Sequence, residues 1–147
     1  MTQDQSSSRH AVAIVVFEHG KFLVIRRSEH VRAPGKVCFP GGHLEPGETE
    51  RDAVAREMLE ELRVDCEPRA LVWRSQTSWG ANVAWWTAER ISLQEAVADP
   101  AEVAEVLWLT AEEMFSHPDL LESNRIFLES LERGEISLRF AADDTAD

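Results

Sequence analysis

The sequence predicts an α/β fold in which a mixed β-sheet packs between helices. Short β-rich segments lie on both sides of one amphipathic helical segment, turns containing glycine separate several of them, and two more helical segments come late in the chain. Helices that follow a mixed set of strands are typical of an α/β sandwich. The length of 147 residues fits one domain with a proper core.

The first elements are two predicted strands, at residues 11–17 and 21–26, joined by a turn at His19-Gly20. A polar loop over residues 28–36 leads to a short predicted strand at 37–39 and then to a turn over 40–47. These elements place a glycine-containing loop directly before the first helix.

The first helix is predicted to begin after Thr49 and to run to about Leu62. Thr49 has the side chain of an N-cap, and Asp52, three positions on, makes a variant of the capping box. One face of this helix is apolar and is expected to pack on the sheet. Its residues are Val54, Ala55, Met58, Leu59 and Leu62.

The second half of the chain is predicted to form a long hairpin and then mostly helix. The hairpin strands are residues 69–78 and 82–89, with Trp79-Gly80-Ala81 between them. The later elements are a strand at 103–109, helices at 110–117 and 120–133, and a closing strand at 136–140.

Composition and charge narrow the range of possible partners and functions. The formal net charge of −12 argues against a nucleic-acid partner, because phosphate neutralisation needs clustered Lys and Arg. It does not exclude a phosphorylated small molecule that a metal recruits locally.

Cys38 and Cys66 make neither a disulfide framework nor a zinc site, and we expect reduced thiols in a cytoplasmic protein. No segment is long enough to span a bilayer.

The domain is expected to cover residues 10–140. The polar segments at residues 1–9 and 141–147, the second of them acidic, are expected to be disordered.

Three glutamates share one face of the first predicted helix. At about 100° per residue, Glu57, Glu60 and Glu61 fall within an arc of about 100°. Like charges at these spacings repel by roughly 0.2–0.5 kcal/mol per pair, so a cation is expected among them. Carboxylate oxygens suit Mg²⁺ or Mn²⁺. The alternative is a solvated face on which Arg56 pairs with Glu60 at i+4.

The residues around these glutamates follow a fixed spacing: Gly42-x5-Glu48-x7-Arg56-Glu57-Met58-x-Glu60-Glu61-x-Arg63-Val64. This pattern resembles the signature of the Nudix hydrolase family, G-x5-E-x7-R-E-U-x-E-E-x-G-U, where U is a bulky aliphatic residue. The one departure is Arg63 in place of glycine. A non-glycine residue that must adopt a left-handed conformation there costs about 1–2 kcal/mol.

The resemblance implies a Nudix-type α/β/α sandwich and Mg²⁺-dependent cleavage of a nucleoside diphosphate linked to another moiety. Carried over position by position, it implies metal ligands at Glu57 and Glu61, a third at Glu60, and a further ligand in the backbone carbonyl of Gly42. Glu57 and Glu60 are also candidates for the general base. The resemblance further implies a structural ion pair that joins the loop to the helix, between Glu48 and Arg56.

A carboxylate from a later loop is the other candidate for the general base. Glu102 and Glu105 both precede Trp108, and the distance of Glu102 from that tryptophan resembles the spacing in mutator-type members. Each of the two is alternatively an ordinary loop charge. His43 has a possible general-acid role.

Substrate contacts are expected at Arg27 and Phe39. Arg27 has two interpretations. It binds phosphate or a base, as in mutator-type relatives, or it is a solvated residue at the end of a strand. Phe39 either borders a base or belongs to the core. Among Trp79, Trp85 and Trp86, at most one or two are expected to line a pocket, since aromatic residues in strands usually pack a core.

The markers of several subfamilies are missing, which leaves a nucleoside triphosphate or a nucleotide sugar as the expected substrate class. Two alternatives remain: a Nudix-fold module that binds a nucleotide or regulates a partner without turnover, and an isomerase acting on isopentenyl diphosphate. The isomerase would need Cys38 or Cys66 as a catalytic thiol. A homodimer is also possible, as for related enzymes.

Overall fold

The computed structural model describes residues 9–78 and 80–140. The predicted disorder of both ends therefore concerns residues 1–8 and 141–147, which lie outside the described residues, as does Trp79. Arg9, the last residue of the expected N-terminal tail, accepts a hydrogen bond from the amide of Asn82 at 2.8 Å.

The chain forms eight strands and three helices within the described residues. The strands are β1 (His10–Val15), β2 (Phe17–Glu18), β3 (Lys21–Arg27), β4 (Val37–Cys38), β5 (Gly41–His43), β6 (Cys66–Gln76), β7 (Asn82–Arg90) and β8 (Val103–Leu109). The helices are α1 (Glu50–Leu62), α2 (Ala111–Phe115) and α3 (Glu122–Glu132).

The strands are arranged in two sheets. One has the order β5-β1-β7-β6 and is mixed, because β1 and β7 run parallel while the other pairs are antiparallel. In the other sheet, β3 pairs with β2, β4 and β8, all antiparallel. The predicted mixed α/β architecture is thus confirmed.

Alternate residues of β1 face two separate cores. Val12 and Ile14 pack in a cluster with Val54, Met58 and Leu62 of α1. Ala13 and Val15 point the other way and pack in a second cluster with Met114 of α2 and with Phe127 and Leu128 of α3. Period-two alternation in a strand therefore produces a helix layer on each face.

Several predicted elements differ from those observed. The first predicted strand breaks at Val16, so that β1 joins one sheet and β2 the other. Residues 136–140 form no strand, although Ile136 is buried and the Arg139 carbonyl accepts a hydrogen bond from the Thr87 hydroxyl. On α1, Leu59 is 51% exposed and does not pack on the sheet.

Helix α1 begins and ends as its sequence indicates. Thr49 caps it with a complete capping box, in which the Thr49 hydroxyl accepts from the Asp52 amide and the Asp52 carboxylate accepts from the Thr49 amide. At the other end, Arg63 has φ 57° and ψ 32°, a left-handed conformation, and its amide donates to the Leu59 carbonyl. With Arg63 in place of glycine, the helix therefore still ends in a left-handed residue, at a steric cost.

None of the helices in residues 9–78 and 80–140 is long and apolar enough to cross a bilayer.

We expect Arg63→Gly to raise the free energy of unfolding by about 1 kcal/mol, because glycine adopts the left-handed conformation without a Cβ clash. Urea denaturation measures the change. Arg63→Ala is the matched control, since it removes the charge but keeps the Cβ. Equal stabilisation by both substitutions would show that charge, and not backbone strain, is responsible.

Candidate active site

Two carboxylates of α1 are buried against strand β5. Glu57 and Glu61 are 7% and 5% exposed and lie four positions apart on one side of the helix. The amide of Gly41 donates to Oε1 of Glu61 at 3.4 Å. A Cβ on Gly42 would lie 2.4 Å from Oε2 of Glu57. A side chain at position 42 would therefore displace the Glu57 carboxylate from its place in the cluster.

Glu102 completes a group of three carboxylates. It lies in the loop before β8, and one oxygen of each of Glu57, Glu61 and Glu102 lies within 4.8 Å of the others. Glu102 is exposed, so the group has two buried members and one open to solvent. Of the two loop glutamates considered, the structure brings Glu102 to the helix. Glu105 instead pairs with Arg26 at 3.3 Å.

Burial and mutual repulsion both disfavour negative charge on the carboxylates of this cluster. Burial raises the pKa of Glu61 well above its usual value, and the charges of Glu57 and Glu102 raise it further. Burial also raises the pKa of Glu57, against the opposing effect of Arg56. Buried carboxylates of this kind favour a bound cation or a shared proton.

Arg56 connects the loop before α1 to the cluster. Its Nε and Nη2 donate to the two oxygens of Glu48 at 2.6 and 2.9 Å, which makes the ion pair expected from the sequence. Nη2 also donates to the carbonyl of His43 at 3.0 Å. Nη1 lies 3.1 Å from Oε2 of Glu57. A single guanidinium thus fixes both the loop and one of the buried carboxylates.

Glu60 lies outside the carboxylate cluster. Its Oε1 accepts from Nη1 of Arg56 at 3.1 Å, and its side chain is 53% exposed. The sequence grouped Glu60 with Glu57 and Glu61, and the structure brings together only the latter two.

A cleft of about 620 Å³ lies next to the cluster, although none of the three carboxylates lines it. Gly41 and Gly42 line it, so the backbone that touches the buried carboxylates also forms one wall. Two arginines, Arg27 and Arg32, also line it, together with His43 and one acidic residue, Glu122. Its remaining lining includes apolar side chains and uncharged polar groups. Among them are Val83, Trp85, Leu121, Ile126, Gln76, Thr77 and Ser123.

The structure places both predicted substrate contacts in this lining. Arg27 faces the cleft, with its Nε donating to the Arg32 carbonyl at 2.5 Å and Nη1 lying 3.7 Å from the Cys38 sulfur. Phe39 is only 4% exposed, and its ring packs edge-on against Trp85 at 5.7 Å and Phe127 at 5.5 Å. Phe39 is thus a core aromatic that also forms the floor of the cleft.

Trp85 and Trp86 are mainly structural. Trp85 stacks on Phe127 with ring centroids 4.3 Å apart and donates from Nε1 to Ser75 at 2.9 Å. Trp86 donates from Nε1 to Glu50 at the start of α1, at 2.9 Å. Trp85 lines the cleft while Trp86 packs in the core under α1.

Two further polar groups of the cleft, Asn124 and Arg32, were not predicted as site residues from the sequence. Asn124 is 5% exposed, and its Oδ1 accepts from the Phe39 amide at 2.8 Å, which ties α3 to the cleft floor. Arg32 lies close enough to His43 to lower the pKa of its imidazole, to which burial contributes more. His43, considered as a general acid, therefore favours the neutral form near pH 7. Asn124 lies near the start of a helix and Arg32 lies in a loop, and neither location by itself indicates a site residue.

Both cysteines are free and buried. Burial raises the pKa of Cys38 to about 11 and that of Cys66 to about 12. Thiols of this kind are inert, because reactivity belongs to the thiolate. The catalytic cysteine that an isomerase would need is therefore not supported.

The carboxylate cluster fits a hard divalent metal. It offers three oxygen donors within 4.8 Å, in a setting where burial disfavours their negative charge. The group consists of carboxylates alone, and oxygen ligands favour Mg²⁺ or Mn²⁺ over zinc or copper.

Comparison with known proteins agrees with this geometry. The family model of the NUDIX domain matches residues 7–131, which is most of the chain. The chain belongs to the Nudix hydrolase family. The predicted resemblance is confirmed, and Arg63 is a departure within a true member.

Relatives and solved structures extend the comparison. Nudix hydrolase 3 of Caenorhabditis elegans is 33% identical over 107 residues, covering 67% of this chain and 44% of that protein. The chain thus spans less than half the length of this Nudix relative. CTP pyrophosphohydrolase of Escherichia coli is 26% identical over 73% of this chain and 79% of its own length. The crystal structure of a MutT protein from Methanosarcina mazei aligns with a TM-score of 0.72 and 26% identity, over 86% of this chain and 94% of that one.

We expect Arg56→Met to lower the free energy of unfolding by about 2–3 kcal/mol, because it leaves Glu48 and Glu57 without their cation in a largely buried setting. Arg56 holds the pKa of Glu48 below its usual 4.5. A carboxylate with a lowered folded pKa stabilises the fold above its unfolded pKa. The difference between wild type and variant should therefore be full above about pH 4.5 and shrink as the pH falls through the lower folded value.

Urea denaturation across pH measures this difference, and Arg69→Met is the matched control. Arg69 also pairs with a glutamate, Glu89 at 2.7 Å, but both partners are more exposed. Its loss should cost less than about 1 kcal/mol. Similar losses for the two arginines would contradict a special role for Arg56.

Proposed function

We propose that this protein is a metal-dependent pyrophosphohydrolase. It cleaves the diphosphate linkage of a nucleoside diphosphate joined to another moiety, with a nucleoside triphosphate or a similar nucleotide as substrate. Mg²⁺ is the proposed metal, and Mn²⁺ is its nearest substitute.

The observation that carries the proposal is the position of Glu57, Glu61 and Glu102 beside a cleft that contains Arg27. Hydrolysis of a phosphoanhydride requires neutralised charge on phosphate oxygens and an activated water. Gly41 and Gly42 contact the buried carboxylates and line the same cleft as Arg27, so both requirements can be met beside this cleft.

Glu57 and Glu61 are the proposed protein ligands, with the carbonyl of Gly42 as a further one. Glu60 would first have to leave Arg56 to join them. When bound, the metal supplies neutralisation of phosphate charge and a lowered pKa for a coordinated water.

Glu102 is the proposed general base. It is the exposed member of the cluster, so a water can reach it, whereas Glu57 and Glu61 are almost closed off. Arg56 fixes Glu57 and leaves it fewer free lone pairs for accepting a proton. Glu102 would take the proton of the attacking water as its oxygen bonds to phosphorus and the phosphoanhydride bond to the leaving phosphate group breaks.

Arg27 is proposed to bind the phosphate chain outside the reacting centre. Its backbone ends β3 at the cleft, and its Nε bond to the Arg32 carbonyl fixes the direction of the guanidinium. The apolar part of the cleft, around Val83 and Ile126, suits a nucleobase. One relative in Escherichia coli is named CTP pyrophosphohydrolase, which supports a nucleotide in this position.

A substrate screen tests the proposed activity. Nucleoside triphosphates, oxidised deoxynucleoside triphosphates, sugar nucleotides, dinucleotides and coenzyme A are incubated with the protein and Mg²⁺, and the phosphorus-containing products are identified. Metal-dependent release of a nucleoside monophosphate with pyrophosphate or a second phosphate product supports the proposal. Absence of turnover with the whole panel, in Mg²⁺ and in Mn²⁺, would contradict it.

We expect Glu57→Gln and Glu61→Gln each to lower kcat by at least about a hundredfold and to weaken Mn²⁺ binding, because each removes a charged ligand from the cluster. Mn²⁺ affinity is measured by titration of the protein without substrate. Glu132→Gln, on the exposed end of α3, is the control and should change neither quantity. Normal Mn²⁺ affinity in both cluster variants would remove them as ligands.

We expect Arg27→Ala to raise KM more than it lowers kcat, because a group that binds the substrate away from the reacting atoms contributes uniform binding. Steady-state kinetics on the best substrate of the screen measures both constants. Arg125→Ala, an arginine of α3 that donates to the Phe115 carbonyl, is the matched control. An unchanged KM in the Arg27 variant would exclude Arg27 from substrate binding.

A further inference from the structure

The Glu102 carboxylate has no side-chain anchor. Among the residues that the structure describes, its carboxylate oxygens make no hydrogen bond or ion pair, and the like charges of Glu57 and Glu61 lie within 4.8 Å. Mutual repulsion favours movement of Glu102 away from the helix. Its place in the cluster must therefore come from the backbone of residues 99–103.

One side of this loop is fixed to α1. The Asp99 amide donates to the Glu61 carbonyl at 2.9 Å. The amides of Glu102 and Val103 both donate to the Asp99 carbonyl, at 3.0 and 2.8 Å, and the Ala101 amide donates to the Asp99 carboxylate at 3.1 Å. These bonds make a compact turn, but they leave the carbonyls of Ala101 and Glu102 to be satisfied from elsewhere.

Both of those carbonyls are satisfied by Ser28. Its amide donates to the Glu102 carbonyl at 3.0 Å, and its hydroxyl donates to the Ala101 carbonyl at 2.9 Å. The same hydroxyl accepts from the His30 amide at 3.1 Å. Ser28 is only 4% exposed, so water does not replace these bonds. One small polar residue therefore joins the outer side of the Glu102 loop to the end of β3.

We propose that Ser28 is a positioning residue that keeps Glu102 in the carboxylate cluster. The inference rests on the proposed hydrolase function, because Glu102 is the general base there. Ser28 directly follows Arg27, so the same strand end fixes both the group that binds phosphate and the loop that carries the base. The distance between these two groups is then set by one rigid segment.

The first test measures the loop without any substrate or metal. Hydrogen exchange of the Glu102 and Val103 amides is followed by NMR in wild type and in Ser28→Ala. Loss of the hydroxyl should speed their exchange by about tenfold or more, since the turn loses an anchor and opens locally. Unchanged exchange in a folded variant overturns the proposal, whatever the protein hydrolyses.

The second test is kinetic. Ser28→Ala should lower kcat by about ten- to a hundredfold while KM changes little, because a displacement of about 1 Å of a reacting group has an effect of this size. In a Glu102→Gln background the same substitution should have almost no further effect, since the group that it positions is already lost. Ser28→Thr, which keeps the hydroxyl, should recover most of the lost kcat.

The controls separate positioning from a general loss of structure. Ser130→Ala removes another buried serine, on α3 and away from the cluster, and should leave kcat unchanged. Equal losses of kcat from Ser28→Ala with and without Glu102 would overturn the proposal. A wild-type protein with no turnover on the substrate panel would instead be a failure of the proposed function, and the exchange measurement tells these two results apart.

Discussion

The guanidinium of Arg56 is the interaction on which the candidate site depends. It binds Glu48 with two hydrogen bonds, the His43 carbonyl with a third, and one oxygen each of Glu57 and Glu60. Arginine suits this place because its planar fork carries several donors in fixed directions, which a lysine lacks. Arg56 therefore joins the loop before α1, the end of β5 and the acidic side of α1. Without Arg56, the buried Glu57 carboxylate would lose the cation that pairs with it.

Close contact between backbone and carboxylate is the second constraint. Strand β5 passes over α1 with Gly41 and Gly42, and a side chain on Gly42 would occupy the place of the Glu57 oxygens. A side chain on Gly41 would meet the Val12 carbonyl at 2.1 Å, so the pairing of β5 with β1 also requires glycine. The glycines thus serve the sheet and the cluster together. They also line the cleft, so no side chain at these two positions separates the cleft from the carboxylates.

Local signals in the sequence predicted the local structure well. The capping box at Thr49 and Asp52 and the two-residue turn at His19-Gly20 depend on neighbours within a few positions, and both are present. Elements that depend on distant partners were harder to predict. Strand β5 is made of Gly41, Gly42 and His43, residues with poor strand propensity that pair only because β1 lies beside them. Residues 136–140 have a strand-like composition but no ladder, since the Arg139 carbonyl bonds a side chain of β7 instead.

On the acidic face of α1, the spacing of the charges predicts which residues share a face but not which of them form the site. Glu57, Glu60 and Glu61 fall in one arc, with Glu60 on one side of Glu57 and Glu61 on the other. The edge of the buried region runs between them, so Glu61 is 5% exposed while the Glu60 side chain is 53% exposed. Helical spacing determines which residues share a face, but the position of β5 and of the loop held by Ser28 determines which of them form a site. The third member of the cluster, Glu102, comes from a loop 41 positions further along the chain than Glu61, at a distance no helix period can supply.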